Sequence, residues 1–226
     1  MKLLGLIGGT SWHATVVYYT RINQLATKFI GESSNPPLLL YSQDISVMRS
    51  GDIDRINDSY LKIAQSLERE GADAIVIAAN TPHLVVPFVQ PKIGIPILHI
   101  ADSTANEAKK LSVDSVGLLG TLPTMKKDFL TGRLRDNHGL NVILPDSEEQ
   151  PEVHRYISEE LTQGKFNEST KSYYIKQMDK LVANGAQAIM LGCTELPILF
   201  KDYEYQVPLL DTTELHVKAA VEYIFS

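Results

Sequence analysis

One internal repetition constrains this 226-residue chain more than any other feature. "GLIGGT" at Gly5 returns as "GLLGTL" at Gly117, an offset of 112 (117 − 5). "GADAIVIAANTPHL" at Gly71 returns as "GAQAIMLGCTELPIL" at Gly185, an offset of 114 (185 − 71). "IPILHIAD" at Ile95 returns as "VPLLDTTE" at Val207, again 112 (207 − 95). A single match between apolar strands is common by chance. Three matches in order, at nearly one offset, imply two similar halves.

The pattern within each half is α/β. Short, continuous apolar runs such as "KLLGLIG", "PLLLYS", "DAIVIAA", "IPILHI", "SVGLLGT", "NVILP", "QAIMLG" and "VPLL" read as buried strands. Between them, "SWHATVVYYTRINQLATKFI", "INDSYLKIAQSLEREG" and "TMKKDFLTGRLRDNHG" have helical spacing, and Gly71 supplies a stop signal. A helical stretch from Glu152 to Asn184 has a break near Gly164, and a last helix begins about Thr212. Such strands alternating with helices predict parallel sheets covered by helices. The expected division is a first domain over 1–100 plus about 211–226, and a second over 101–210. Parallel α/β sheets bind ligands beyond the carboxyl ends of their strands. "GGTS", "AANTPH", "LGTLPT" and "GCTELP" therefore become candidate site segments, expected to meet in a cleft between the halves.

Bulk properties exclude several classes. The net charge is −6 and no Lys/Arg cluster forms a basic patch, which argues against nucleic acid. No run approaches the ~18 apolar residues of a membrane span. The apolar start "MKLLGLIGG" is interrupted by glycine too early for a signal-peptide core. One cysteine allows no internal disulfide. A soluble, cytoplasmic protein is expected. No metal-ligand spacing of His and acidic residues occurs, and G-x-S-x-G and G-x-G-x-x-G are both absent.

The lone cysteine, Cys193, sits where an apolar strand meets the polar turn "CTELP". It reads either as a small buried hydrophobe or as a working thiol. A helix starting near Pro197 would offer N–H groups that hold a carboxylate and favour the thiolate. The repeat pairs Cys193 with Ala79, Thr194 with Asn80, and Glu195 with Thr81. Ser11, Asn80, Thr81, Thr121 and Thr194 are candidate carboxylate donors, with ordinary turn or capping roles as the alternative. Arg49 follows the "LLLYSQD" strand and is a further candidate. His83 and Glu195 are expected to orient neighbours, whereas His99 and His216 look structural.

"IGGTSWHAT", "NTPH", "IPILHIAD", "GLLGT", "GCTE" and "LLDTTELH" together resemble the aspartate/glutamate racemase family, in order along almost the whole chain. The resemblance implies two α/β domains, no cofactor, a homodimer, and a small amino acid or dicarboxylate as substrate. It also implies two cysteines flanking the substrate α-carbon, one before "NT" and one in "GCTE". Cys193 fills the second position. Ala79 stands at the first, and alanine transfers no proton. Thr162 stands near where some aspartate racemases carry a lysine for the side-chain carboxylate.

Inversion by direct proton exchange needs groups on both faces of the carbon. With Cys193 on one face, water, Thr81 or another hydroxyl, or His83 would serve the other. A one-cysteine enzyme that protonates a single face, as in the similar arylmalonate decarboxylases, is an alternative. A non-catalytic dicarboxylate binder is another.

Overall fold

The computed structural model describes residues 1–226. They divide into two compact units, Met1–Ile100 with His216–Ser226, and Ala101–Leu215. The first unit contains β1 (Leu4–Gly8), α1 (Trp12–Ile30), β2 (Leu38–Ser42), α2 (Ile45–Arg49), α3 (Ile53–Arg69), β3 (Ala74–Ile77), α4 (Val86–Val89) and β4 (Ile97–Leu98). The second contains α5 from Ala101 onward (Ile100–Lys110), β5 (Ser115–Gly120), α6 (Leu122–Lys126), α7 (Asp128–His138), β6 (Asn141–Ile143), α8 (Gln150–Glu159), α9 (Glu168–Ala183), β7 (Ala188–Gly192), α10 (Leu196–Leu199) and β8 (Leu209–Asp211). The closing helix α11 (Thr212–Phe225) belongs from His216 onward to the first unit.

Each unit has one four-stranded sheet, β2-β1-β3-β4 in the first and β6-β5-β7-β8 in the second. All pairings are parallel, with Leu4 opposite Leu38 and Ala74, and Val116 opposite Val142 and Ala188. The identical strand order is the structural form of the internal repeat. The glycine-flanked strands β1 and β5 are central, as are β3 and β7.

Alternation along the central strands covers both faces of the first sheet. Ile7, Ile75 and Ile77 pack with Ile56, Tyr60, Ile63 and Leu67 of α3. On the opposite face, Leu4, Leu6, Ala74 and Val76 pack with Tyr18 and Ile22 of α1 and with Val217, Val221 and Ile224 of α11. In the second unit, Leu119, Ile189 and Leu191 meet Val153 and Ile157 of α8 and Tyr174, Met178 and Leu181 of α9. Burying each large aliphatic side chain is worth about 1.5–3 kcal/mol, so these layers dominate the folding energy.

Local chemistry sets the helix ends. Ser11 caps α1, accepting from the Ala14 N–H at 3.3 Å, and buried Ala14, Tyr18, Ile22 and Ala26 follow at four-residue spacing. Asp52 caps α3 by accepting from the Asp54 and Arg55 N–H groups. Gly164, at φ 74°, separates α8 and its short 3-10 extension from α9.

Three segments differ from their sequence reading. "IPILHI" is strand only at Ile97–Leu98, because Ile100 already opens α5. The "TMKKDFLTGRLRDNHG" helix is two helices, since Lys127 is extended at φ −92°, ψ 141°. A short helix, α2, follows β2 because the Asp44 carboxylate caps it through the Ser46 N–H.

Candidate functional site

The turn after β1 is a tightly fitted glycine turn. Gly9 has φ +91°, and a Cβ there would lie 2.0 Å from the Gln43 carbonyl oxygen. A Cβ at Gly8 would meet the Thr15 side chain at 2.4 Å, so neither position admits a larger residue without rearrangement. The Gly9 N–H donates to Thr15 Oγ1 at 2.9 Å, and the Gln43 N–H to the Gly8 carbonyl at 2.9 Å. Thr10 Oγ1 lies 2.8 Å from the Tyr60 hydroxyl, whose pKa burial pushes up to about 12. Ser11 ends this turn with its hydroxyl engaged as the α1 cap. Thr15, Gln43 and Tyr60 support the turn from later elements. No local pattern in the sequence marks them.

Beyond β3, the chain passes through Ala79 and Asn80 into a 3-10 turn over Thr81–Val85. Asn80 is buried and Thr81 half-buried. His83 is wholly buried, with Nδ1 2.9 Å from the Ala79 carbonyl oxygen and Nε2 accepting the Ile100 N–H at 3.3 Å. A carbonyl on one nitrogen and an N–H on the other fix a neutral imidazole protonated at Nδ1. The His83 ring lies 4.6 Å from that of His99 and 5.4 Å from that of His216, centroid to centroid. His216 holds the Tyr18 hydroxyl and the Leu98 carbonyl, each at 2.8 Å. His99 and His216 are thus packing and hydrogen-bonding groups inside the first unit. Arg49 ends α2 and is exposed.

Beyond β7, Cys193 is half-buried, and its thiol donates to Glu195 Oε2 at 2.8 Å. The Thr194 hydroxyl donates to the same oxygen at 2.8 Å. Glu195 is buried and opens the four-residue helix α10, which has Pro197 in its first turn. The helix-start environment was expected to favour the thiolate. Instead the thiol pKa lies well above its ordinary value. Loss of water around the sulfur contributes most, followed by the Glu195 carboxylate charge and its hydrogen bond; the Glu195 and Thr194 N–H groups oppose these only partly. At neutral pH the resting group is a protonated thiol beside a carboxylate. Tyr174 donates to the Val153 carbonyl at 2.7 Å, and its phenol pKa is raised by burial first and by Cys193 next.

Thr121 stands at the start of α6 after β5, its hydroxyl 2.9 Å from that of Thr124. Thr162 is exposed in the 3-10 turn after α8 and donates to the Ser158 carbonyl at 2.8 Å. Ser11 and the Ala79–Thr81 segment follow strands β1 and β3 of one sheet, whereas Thr121 and Cys193–Glu195 follow β5 and β7 of the other. Arg49 and Thr162 lie on separate helical segments. No group of three or more His, Cys, Asp or Glu side chains is placed to hold a metal ion, and no helix is long and apolar enough to cross a membrane.

A family model described as Asp/Glu/Hydantoin racemase matches residues 7–220. The chain belongs to this family. It is an isomerase of the racemase class. A crystal structure of a protein from Yersinia pestis assigned to the Asp/Glu racemases is 40% identical, with a TM-score of 0.94 and full coverage of both chains. An aspartate racemase homologue from Pyrococcus horikoshii OT3 is 34% identical at a TM-score of 0.88, again over all of both chains. The broad specificity amino-acid racemase RacX of Bacillus subtilis is 24% identical over 224 residues, covering 97% of this chain and 96% of its own.

Proposed function

We propose that this racemase-family chain exchanges the α-proton of a small amino acid, with aspartate, glutamate or a related acid as substrate and no cofactor. The observation that carries the reading is the Cys193–Glu195 pair at the end of β7, a thiol hydrogen-bonded to a carboxylate. Glu195 accepts the thiol proton. The resulting thiolate removes the α-hydrogen as a proton, and the C–H bonding pair remains on carbon as the carbanion. Return of a proton to carbon completes the exchange. In the opposite sense, the resting thiol donates directly to a carbanion. Backbone N–H groups and side chains of Ser11, Asn80, Thr81, Thr121 and Thr194 are the proposed carboxylate donors, Thr194 through its backbone because its hydroxyl is given to Glu195, with Arg49 and Thr162 as further substrate contacts.

The face away from the thiol is assigned to Thr81 or a water. Alanine at position 79 has no proton to give, and both ring nitrogens of His83 are committed to backbone groups. This same arrangement favours a second reading, in which Cys193 serves one face alone and the enzyme exchanges or protonates without inversion. The chain is assigned to the cytoplasm and to a homodimer, without nucleic-acid or membrane partners.

The test is incubation with both enantiomers of aspartate, glutamate and a panel of small acids in deuterated water. Label entering both enantiomers supports racemisation. Label entering with retained configuration supports the one-face reading. No exchange on any substrate overturns the enzymatic assignment in favour of a binder.

A further inference from the structure

The turn after β1 is held by a helix that lies later in the chain. Ser59 and Tyr60 are consecutive on α3, and each holds a different strand end. The Gln43 side-chain amide, just after β2, donates to Ser59 Oγ. The Tyr60 hydroxyl meets that of Thr10, just after β1, at 2.8 Å. Thr10 itself has little freedom. Gly9 before it sits at φ +91°, with no room for a side chain against the Gln43 backbone. Thr15 Oγ1 ties both neighbours, accepting the Gly9 N–H and donating to the Ser11 carbonyl.

Burial sets the direction of the Thr10–Tyr60 bond. Tyr60 is 1% exposed, and its hydroxyl has Thr10 as partner. Burial also pushes the phenol pKa up to about 12, so its proton stays in place. Thr10 is only half-buried and retains access to solvent. A buried O–H without an acceptor is the costlier of the two to leave unmatched, so Tyr60 donates and Thr10 Oγ1 accepts. The Thr10 hydroxyl hydrogen is then uncommitted and turned away from Tyr60. Accepting one hydrogen bond also polarises that O–H for donating the next. The hydroxyl stands just beyond the carboxyl end of a central strand in a parallel sheet, where such sheets take their ligands.

We propose that Thr10 binds a substrate carboxylate through its hydroxyl, and that Tyr60 is the positioning residue that aims this hydroxyl. The inference rests on the amino-acid substrate proposed above and adds to its donors a side chain of fixed direction. The bonds run in one sense, from the Tyr60 O–H to Thr10 Oγ1 and from the Thr10 O–H to a carboxylate oxygen. A carboxylate matches that sense because it only accepts hydrogen bonds. An ammonium group has only donors and would face the outward hydrogen. Thr10 is therefore assigned to a carboxylate of the substrate and not to its amino group.

The experiment offers L-aspartate, L-glutamate and L-asparagine to the parent, Thr10→Val, Thr10→Ser, Tyr60→Phe and the Thr10→Val/Tyr60→Phe double variant. Calorimetric titration gives dissociation constants, α-deuterium exchange gives KM and kcat, and circular dichroism with thermal melts verifies folding. Thr10→Val keeps the branched shape and removes the hydroxyl; Thr10→Ala replaces it if the valine variant is unfolded. The dissociation constant and KM should rise on the order of 10-fold or more, as for a lost hydrogen bond to a charged group, with kcat changed less. Thr10→Ser should restore parental affinity. Tyr60→Phe should weaken binding several-fold alone and change nothing further once Thr10 is replaced, because the two act through one bond. A phenol that served only the fold would weaken both backgrounds alike. An equal loss on all three ligands assigns Thr10 to the α-carboxylate, and a loss confined to aspartate and glutamate assigns it to the side-chain carboxylate; either result supports the inference. A folded Thr10→Val with parental affinity overturns it, and a Tyr60→Phe penalty that persists in the double variant overturns the positioning role. A parent that binds these ligands without exchange overturns the enzymatic reading, and the affinity series then decides the inference by itself. A parent that binds none of the three overturns both this inference and the proposed substrate class.

Discussion

The ends of β3 and β7 occupy equivalent places in two sheets of identical strand order, yet they are chemically opposite. After β7, Cys193, Thr194 and Glu195 converge on one carboxylate oxygen, and every polar atom in that contact is a side chain. After β3, Ala79 offers only its backbone, and the nearby imidazole of His83 is turned inward to bind that backbone. One copy of the repeat holds a hydrogen-bonded thiol and carboxylate, while the other holds backbone groups bound to a buried imidazole. Duplication of a fold thus does not require duplication of its chemistry.

The largest expected effect tests the β7 side. Cys193→Ala removes the proposed acid/base, and α-proton exchange should fall by on the order of 100- to 10,000-fold. Retention of full exchange in a deuterium assay would move the chemistry away from β7 and break the comparison.

Ala79→Cys makes the two strand ends more alike. Racemisation, followed by chiral chromatography, should rise by up to ~100-fold as a thiol is placed at the first family position. An unchanged rate would mean that another group already serves that face, with Thr81→Val the variant to examine next.

The His83→Ala variant sharpens the scaffold side. It leaves the Ala79 carbonyl without its imidazole donor and the Ile100 N–H without its acceptor, and it opens a cavity. Unfolding free energy should drop by about 2–4 kcal/mol in urea titration. If the variant instead keeps parental stability while exchange falls as far as in Cys193→Ala, His83 is chemical and the contrast fails.

A smaller effect separates the partners of the thiol. Both the charge and the hydrogen bond of Glu195 hold the Cys193 pKa up. Glu195→Gln should therefore lower that pKa and speed iodoacetamide labelling at pH 8 several-fold, even as turnover declines. The parent thiol should also show in stability. Its folded pKa exceeds the unfolded value of about 8.5, so its contribution is full below that pH and is lost as pH rises toward the folded value. Cys193→Ala should flatten this part of the alkaline decline in melting temperature. A labelling rate that falls in Glu195→Gln would reverse the assigned electrostatics.

Much of the architecture was legible in the sequence because strands in a doubly covered parallel sheet are written as continuous apolar runs. "DAIVIAA" and "QAIMLG" announce buried strands without any knowledge of their neighbours. The glycine stops at Gly71 and Gly164 were legible because positive φ favours one residue type, and both adopt it. Short elements were less so. Strand β4 is two residues long, and the turn after Asn80 is a 3-10 helix that also holds the Ile100 N–H through His83. At the candidate site, the sequence reading singled out Cys193 and its polar followers as candidates and misjudged the sign of the thiol's shift. A strand-to-helix spacing reveals where N–H groups point. It does not reveal how much water the surrounding layers remove, nor that the Glu195 carboxylate folds back onto the sulfur. Thr15, Gln43 and Tyr60, which fix the Gly8–Ser11 turn, are distant in sequence and follow no motif.

Helix α11 gives the molecule an order in time. Its Val217, Ala220, Val221 and Ile224 complete one face of the first sheet, and the Ile224 carbonyl accepts the Lys2 N–H at 2.9 Å. The second unit, Ala101–Leu215, is continuous in the chain. The ribosome therefore delivers every residue of the second unit before it delivers the cover of the first. Until then, Leu4, Leu6, Ala74 and Val76 have only α1 above them. The first sheet therefore cannot acquire its full cover until α11 has been made, after every residue of the second unit.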